Sequence, residues 1–237
     1  MHGGPPGHPA LCDTACVKTT LDSLLDGKVM LEQPAPGCGY RFNEDSVLVA
    51  RLAARDRTSI GHLLDLGAGV GAIALCAAKL LPVDKLTLVE RDPQACALAR
   101  ANLERAGLGG RARVIETDVA ALGALEPADL VVMNPPYCAP GAGRPSPVLA
   151  RDRARRGLLE PFFAAAARSL AADGRLFVSM PAQSTVAVLQ AAQGCGLHAL
   201  SAGFVFSGAG RPARIVIVQL ARTPGDFVVV TLGACGC

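Results

Sequence analysis

The chain predicts an α/β domain with a mostly parallel, seven-stranded sheet, helices on both faces and an antiparallel hairpin at its C-terminal end. Three observations predict it. Between His62 and Met180, short apolar runs of strand length alternate with stretches of helical apolar spacing, the pattern of βαβ units. The first run leads through a glycine-rich turn, Gly67-Ala68-Gly69-Val70-Gly71, straight into a helix. The last two runs, Ala199 to Phe206 and Ile215 to Leu220, are joined without room for a helix and must therefore be antiparallel.

Taken in order, residues 1–17 are rich in Gly, Pro and His and read as a flexible lead. The domain is expected over 18–222, followed by a tail over 223–237. Leu21, Leu24 and Leu25 give a helical start, Lys28 to Leu31 is strand-like, and a loop rich in Pro and Gly follows. Asp45 to Arg55 carries Val47, Leu48, Leu52 and Ala53 at helical spacing. His62 to Leu66 is the first core strand, Val70 to Leu81 a helix stopped by Pro82, and Lys85 to Glu90 the second strand. Pro93 to Ala106 is a helix with proline in its first turn and Gly107 past its end. Strands follow at Arg113 to Glu116, Asp129 to Met133 and Arg175 to Met180, with helices at Leu158 to Leu170 and Thr185 to Ala192.

A length of 237 residues suits one large domain. No apolar stretch reaches roughly 18 uninterrupted residues, and the N-terminus lacks the regions of a secretory signal, so a cytoplasmic protein with no membrane partner is expected. The net charge of +3 identifies no partner, but its distribution is informative. Arg144, Arg151, Arg153, Arg155 and Arg156 fall within thirteen residues, with Asp152 the only acid among them. Such a cluster can hold phosphates, or simply form a solvated face. The nine cysteines are not spaced as a disulfide framework or a metal site, so no metal is expected. The four histidines surround no nucleophile, which argues against a hydrolase triad.

Two segments carry chemistry. The first is the glycine turn after Asp65. Gly67, Gly69 and Gly71 allow a ligand close to the backbone, with Ala68 between them, and Glu90 ends the next strand where a ribose diol would lie. Arg91 follows it. Asp118, beside Val119 and two residues past the third strand, is placed for an adenine amino group. A dinucleotide dehydrogenase shares nearly the same geometry, although here the spacing is G-x-G-x-G.

The second segment breaks the tie. Asn134-Pro135-Pro136-Tyr137 follows the apolar run Leu130 to Met133. A residue before proline is pushed into extended backbone, and each proline fixes its own φ. In this stiff bracket the Asn134 side-chain oxygen and the Pro135 carbonyl can both face one amino group. Pro136 fixes the exit, and the Tyr137 ring offers a stacking face. Methylation of an exocyclic or amide nitrogen requires such a set.

Together Asp65 to Gly71, Glu90, Asp118 and Asn134 to Tyr137 resemble the class I S-adenosylmethionine-dependent methyltransferases, in the branch with an N-P-P-Y or N-P-P-F motif. The resemblance implies a Rossmann-like sheet with S-adenosyl-L-methionine across the carboxyl ends of its first strands. A narrower likeness comes from Thr20 to Val49, which is similar to the lead-in segment of bacterial tRNA1(Val) N6-adenine methyltransferases. It implies that Asp45 and Ser46 lie over the methionine end of the cofactor. The stretches Gly143 to Pro147 and Arg151 to Arg155, and Arg211 to Ile215 with Arg214, resemble that family's arginine-containing loop and late hairpin. These arginines are then expected to contact nucleic acid, and the substrate is expected to be an adenine in tRNA.

Release-factor glutamine methyltransferases use the same bracket but usually carry an additional helical domain, for which the roughly sixty residues before the first core strand leave little room. DNA adenine methylation, guanine N2 methylation of ribosomal RNA and a non-catalytic RNA-binding scaffold are further alternatives. The two tyrosines and absence of tryptophan argue against a general single-strand binder.

Overall fold

The computed structural model describes residues 18–39, 41–42, 44–136 and 159–232. Within them, β3 (Ile60–Leu66), β4 (Val83–Glu90), β5 (Ala112–Glu116), β6 (Ala128–Met133) and β7 (Leu170–Pro181) build the parallel part of one large sheet. The hairpin β8 (His198–Phe206) and β9 (Ala213–Ala221) joins it antiparallel, with β9 inserted between β7 and β8. All seven expected strands are present. An eighth, β10 (Val228–Leu232), pairs parallel with β8 and completes the order β10-β8-β9-β7-β6-β3-β4-β5.

Period-two alternation divides the core into two layers. Leu63, Leu86, Leu88, Leu130, Val132, Phe177 and Ile217 face one side, where they meet α1 (Glu44–Ala54), α2 (Ala72–Leu80) and α3 (Pro93–Arg105). Leu64, Leu66, Val89, Val131, Met133, Val178 and Val218 face the other, against α4 (Leu159–Ser169) and α5 (Thr185–Gly194). Strands buried on both faces require near-continuous apolar runs, which is what β3 and β6 have. The boundaries of α3 follow from its chemistry. Asp92 caps the helix by accepting from the Gln94 and Ala95 amides at 2.8 and 3.2 Å, Pro93 opens it, and Gly107 lies just beyond it at φ +69°.

The N-terminal segment departs from the expectation. Thr19–Leu24 is a strand, β1, paired antiparallel with β2 (Val29–Pro34), rather than the start of a helix. The helical spacing of Leu21, Leu24 and Leu25 does not reflect one buried face, because Leu21 is 53% exposed while Leu24 and Leu25 are buried. The reversal is made by Leu25, Asp26 and Gly27, all at positive φ. Asp22 accepts from Thr20, Gln33 and Arg41 at 2.7–2.9 Å, tying both strands to the segment leading into α1. The stretch read as tail also contains structure: Val228–Leu232 is β10, a run of β-branched residues suited to a strand. No helix among the described residues is long and apolar enough to cross a membrane.

Candidate active site

The strand order reverses between β3 and β6, whose successors run to opposite edges of the sheet. Open α/β sheets bind ligands at the carboxyl ends of strands at such a switch point. Register fixes what meets there. Leu66 is level with Val89 on β4 and Met133 on β6, Glu90 with Glu116 on β5, and Met133 with Val178 on β7. One residue further on, Gly67, Glu90 and Asn134 therefore emerge side by side.

The glycine turn is held under β4 by the Gly67 and Ala68 amides, which both donate to the Val89 carbonyl at 2.8 and 3.0 Å. Gly67, Gly69 and Gly71 have φ of +71°, +55° and +87°, where other residues are strained. Their surroundings differ. A Cβ on Gly71 would lie 3.1 Å from Leu88 Cδ2, and one on Gly67 3.0 Å from Phe162 Cε1, whereas one on Gly69 would meet nothing within 4 Å. The turn is thus packed at both ends and open at its centre.

Acidic groups surround it. Glu90 Oε2 accepts from the Gly69 amide at 2.9 Å, and Oε1 from the Arg91 and Asp92 amides at 2.8 and 2.9 Å. Three of about four acceptor positions are filled, leaving Oε2 one for a hydroxyl. Asp118 caps a short 3-10 turn that buries Val119, accepting from the Ala120 amide at 2.9 Å. Its other oxygen lies 3.2 Å from Arg91 Nη1. The Ala120 amide, and after it Arg91, hold the Asp118 carboxyl below the usual carboxylate range.

Asp65 is the anomaly. It is 1% exposed, and neither oxygen has a hydrogen-bond partner among the described residues. Burial raises its pKa to about 7 and the Glu90 charge adds to this; the Ala74 amide, directed at it without full hydrogen-bond geometry, opposes the shift. A buried carboxylate without a fully formed hydrogen bond among the described residues marks a place built for something other than the fold's own stability.

Asn134 follows Met133 directly. It is half-buried, and its side chain makes no hydrogen bond to another described residue, while Pro135 is buried and Pro136 half-buried. Asp45 and Ser46 are buried in the first turn of α1. Arg214 Nη2 lies 3.8 Å from Glu44 Oε2 and 3.9 Å from Asp45 Oδ1, so this arginine meets acids at the α1 terminus. Arg211 is exposed in the β8–β9 turn. Tyr137, Arg144, Arg151, Arg153 and Arg155 lie outside the described residues.

Two contributors escaped the sequence reading. Phe162 on α4 packs its ring against Gly67. Asn102 on α3, fully buried, accepts from the Glu32 amide at 2.7 Å and donates to the carbonyls of Glu32 at 2.8 Å and Val70 at 3.1 Å. It links β2 to the glycine turn. Its position inside an amphipathic helix, where a leucine would have fitted the pattern, was the available signal.

A sheet with this switch point, carrying an open glycine turn and an Asn-Pro-Pro bracket on adjacent strands, is what methyltransferases present. Residues 44–194 match the methyltransferase small domain, and the chain belongs to that family. It is similar to the tRNA1(Val) (adenine(37)-N6)-methyltransferase of Aeromonas hydrophila, with 32% identity over 187 residues and 78% of each chain covered. The enzyme of the same name from Erwinia tasmaniensis is 31% identical over 194 residues, covering 80% of this chain and 78% of its own. Among solved structures, a predicted O-methyltransferase from Agrobacterium tumefaciens superposes with a TM-score of 0.62 at 25% identity, covering 80% of this chain and 86% of its own. The protein is an S-adenosylmethionine-dependent methyltransferase with a class I fold.

Proposed function

We propose that this enzyme methylates the exocyclic N6 of an adenine in tRNA, working in the cytoplasm, and that the switch-point residues form its active site. The observation that carries the reading is the register that brings Asn134 out beside Gly67 and Glu90. It is supported by the relatives' shared name and by the similarity of the lead-in segment. The chain's residues fit S-adenosylmethionine. The open centre of the turn at Gly69 admits a ligand against the backbone, the remaining acceptor of Glu90 suits a ribose hydroxyl, and Asp65 offers a buried carboxyl with no full hydrogen bond among the described residues. Asp118, with Arg91 and Val119 beside it, would border the adenine, and Asp45 and Ser46 the methionine end.

When bound, the cofactor supplies an electrophilic methyl group. The protein's part is alignment. An adenine amino group is a weak nucleophile because its lone pair is delocalised into the ring. Acceptance of its two hydrogens by Asn134 Oδ1 and the Pro135 carbonyl favours the pyramidal nitrogen and aims the lone pair. Stacking on Tyr137 would contribute about 1–3 kcal/mol, enough to offset extrusion of a base from a loop. Arg144, Arg151, Arg153, Arg155 and Arg211 would hold phosphates, with Arg214 available once released from Glu44.

The test is Asn134→Ala. S-adenosylmethionine affinity by calorimetry should stay near that of the parent, while methyl transfer to tRNA should fall by about 100-fold or more. Equal turnover by variant and parent would remove Asn134 from the chemistry.

A further inference from the structure

The hydroxyl of Ser179 is buried and has no hydrogen-bond partner among the described residues, although the residue is 1% exposed. A buried hydroxyl left unpaired is costly, and native proteins retain few of them. Its place in the sheet gives a reason. Ser179 lies on β7 one residue beyond Val178, which pairs with Met133. It is thus level with Asn134 on the neighbouring strand.

Alternation puts the two side chains on the same face. Phe177, two residues before Ser179, and Val132, two before Asn134, both belong to the layer under α1, α2 and α3. The extended backbone imposed before a proline carries that alternation through Asn134. Neighbouring strands lie about 4.8 Å apart, within reach of a hydroxyl-to-carboxamide hydrogen bond. Register therefore makes neighbours of an unsatisfied hydroxyl and a carboxamide that also has no hydrogen-bond partner among the described residues.

We propose that Ser179 is a positioning residue for Asn134: in the substrate complex its Oγ accepts a hydrogen bond from Asn134 Nδ2, which turns Oδ1 toward the target amino group. The two ends of a carboxamide are nearly the same size, so packing alone does not choose between them. A neighbouring acceptor does, because only the NH2 end can donate to it. The hydroxyl hydrogen stays free to turn elsewhere. This inference rests on the assignment of Asn134 as the target's acceptor.

The experiment compares full-length parent, Ser179→Ala and Ser179→Thr in steady-state methyl transfer to a tRNA that the parent methylates, alongside thermal melting. Ser179→Ala should lower kcat about tenfold, the scale of one hydrogen bond made in the reacting complex. KM for S-adenosylmethionine should stay within about twofold, and the melting temperature should hold or rise, since an unpaired buried hydroxyl has been removed. Ser179→Thr, which keeps the hydroxyl, should recover much of kcat. An unchanged kcat in Ser179→Ala would overturn the proposal. So would a loss of kcat that tracks a lower melting temperature and is not recovered by Thr. A parent inactive on every tRNA offered while binding S-adenosylmethionine would instead refute the substrate assignment on which the proposal stands.

Discussion

Replacing Asp65 with Asn should flatten the dependence of stability on pH. In the folded protein this carboxyl is buried and titrates at about 7, against an ordinary value of 3.8. The native state therefore holds its proton more tightly than the unfolded chain. The sign follows: stability associated with the protonated group is fully present below about pH 4 and is lost as pH rises toward 7. A gap of about 3 pH units at roughly 1.36 kcal/mol each gives a total of about 4 kcal/mol, of which about 2–3 kcal/mol falls between about pH 5 and about pH 8. The Asn side chain cannot ionise and escapes this loss. Its buried NH2 group carries a cost of its own, about 1–3 kcal/mol, but that cost does not vary with pH and cancels in the comparison. Urea unfolding of parent and variant at the two pH values isolates the effect. The variant's stability relative to the parent should rise by about 2–3 kcal/mol from the lower to the higher pH. Parallel profiles would mean that Asp65 does not titrate as its burial requires, and that its carboxyl is satisfied within the fold rather than left for the cofactor.

Other outcomes follow from the same geometry. Gly69→Ala should cost only about 1–2 kcal/mol of stability, from its positive φ, yet weaken S-adenosylmethionine binding in calorimetry, because the new methyl projects into the open centre of the turn; unchanged affinity would place the ligand elsewhere. Asn102→Ala leaves the Glu32 amide and the Glu32 and Val70 carbonyls without their side-chain partner, and should lower stability by about 3 kcal/mol in urea unfolding, with faster amide exchange at Glu32. A loss below about 1 kcal/mol would show that β2 is held to the turn by other contacts. Joint replacement of Arg151, Arg153 and Arg155 by Ala should weaken tRNA binding and make the slope of log K against log salt shallower by about 2, whereas an unchanged slope would make the cluster a solvated face.

Much of this fold is legible because its signals are local. Strands buried on both faces announce themselves as apolar runs, and β3, β4 and β6 lie within two residues of their expected bounds. Asp92, Pro93 and Gly107 mark α3 because caps act within one turn. The N-terminal hairpin was misread because three leucines at helical spacing coincide with a strand, and what decides between them is tertiary: the Arg41–Asp22 pair and the clasp of Glu32 by Asn102. β10 carries the β-branched run of a strand but was read as tail; what settles it is its parallel pairing with β8.

The site divides the same way. Gly67, Gly69, Gly71, Glu90 and Asn134 are readable because each sits where a strand meets its turn, and backbone geometry demands the residue type. Asp65 is visible as a strand-end acid, but its isolation is not, since the loss of partners depends on packing around it. Phe162 and Ser179 gain their meaning only from neighbours far away in sequence, Gly67 and Asn134.

The substrate is decided by incubating the enzyme with labelled S-adenosylmethionine and undermodified total tRNA, ribosomal RNA, DNA and release factor, then analysing the products by mass spectrometry. N6-methyladenosine should appear in a single tRNA species, with no label in the other substrates. Label confined to a glutamine of release factor would contradict this.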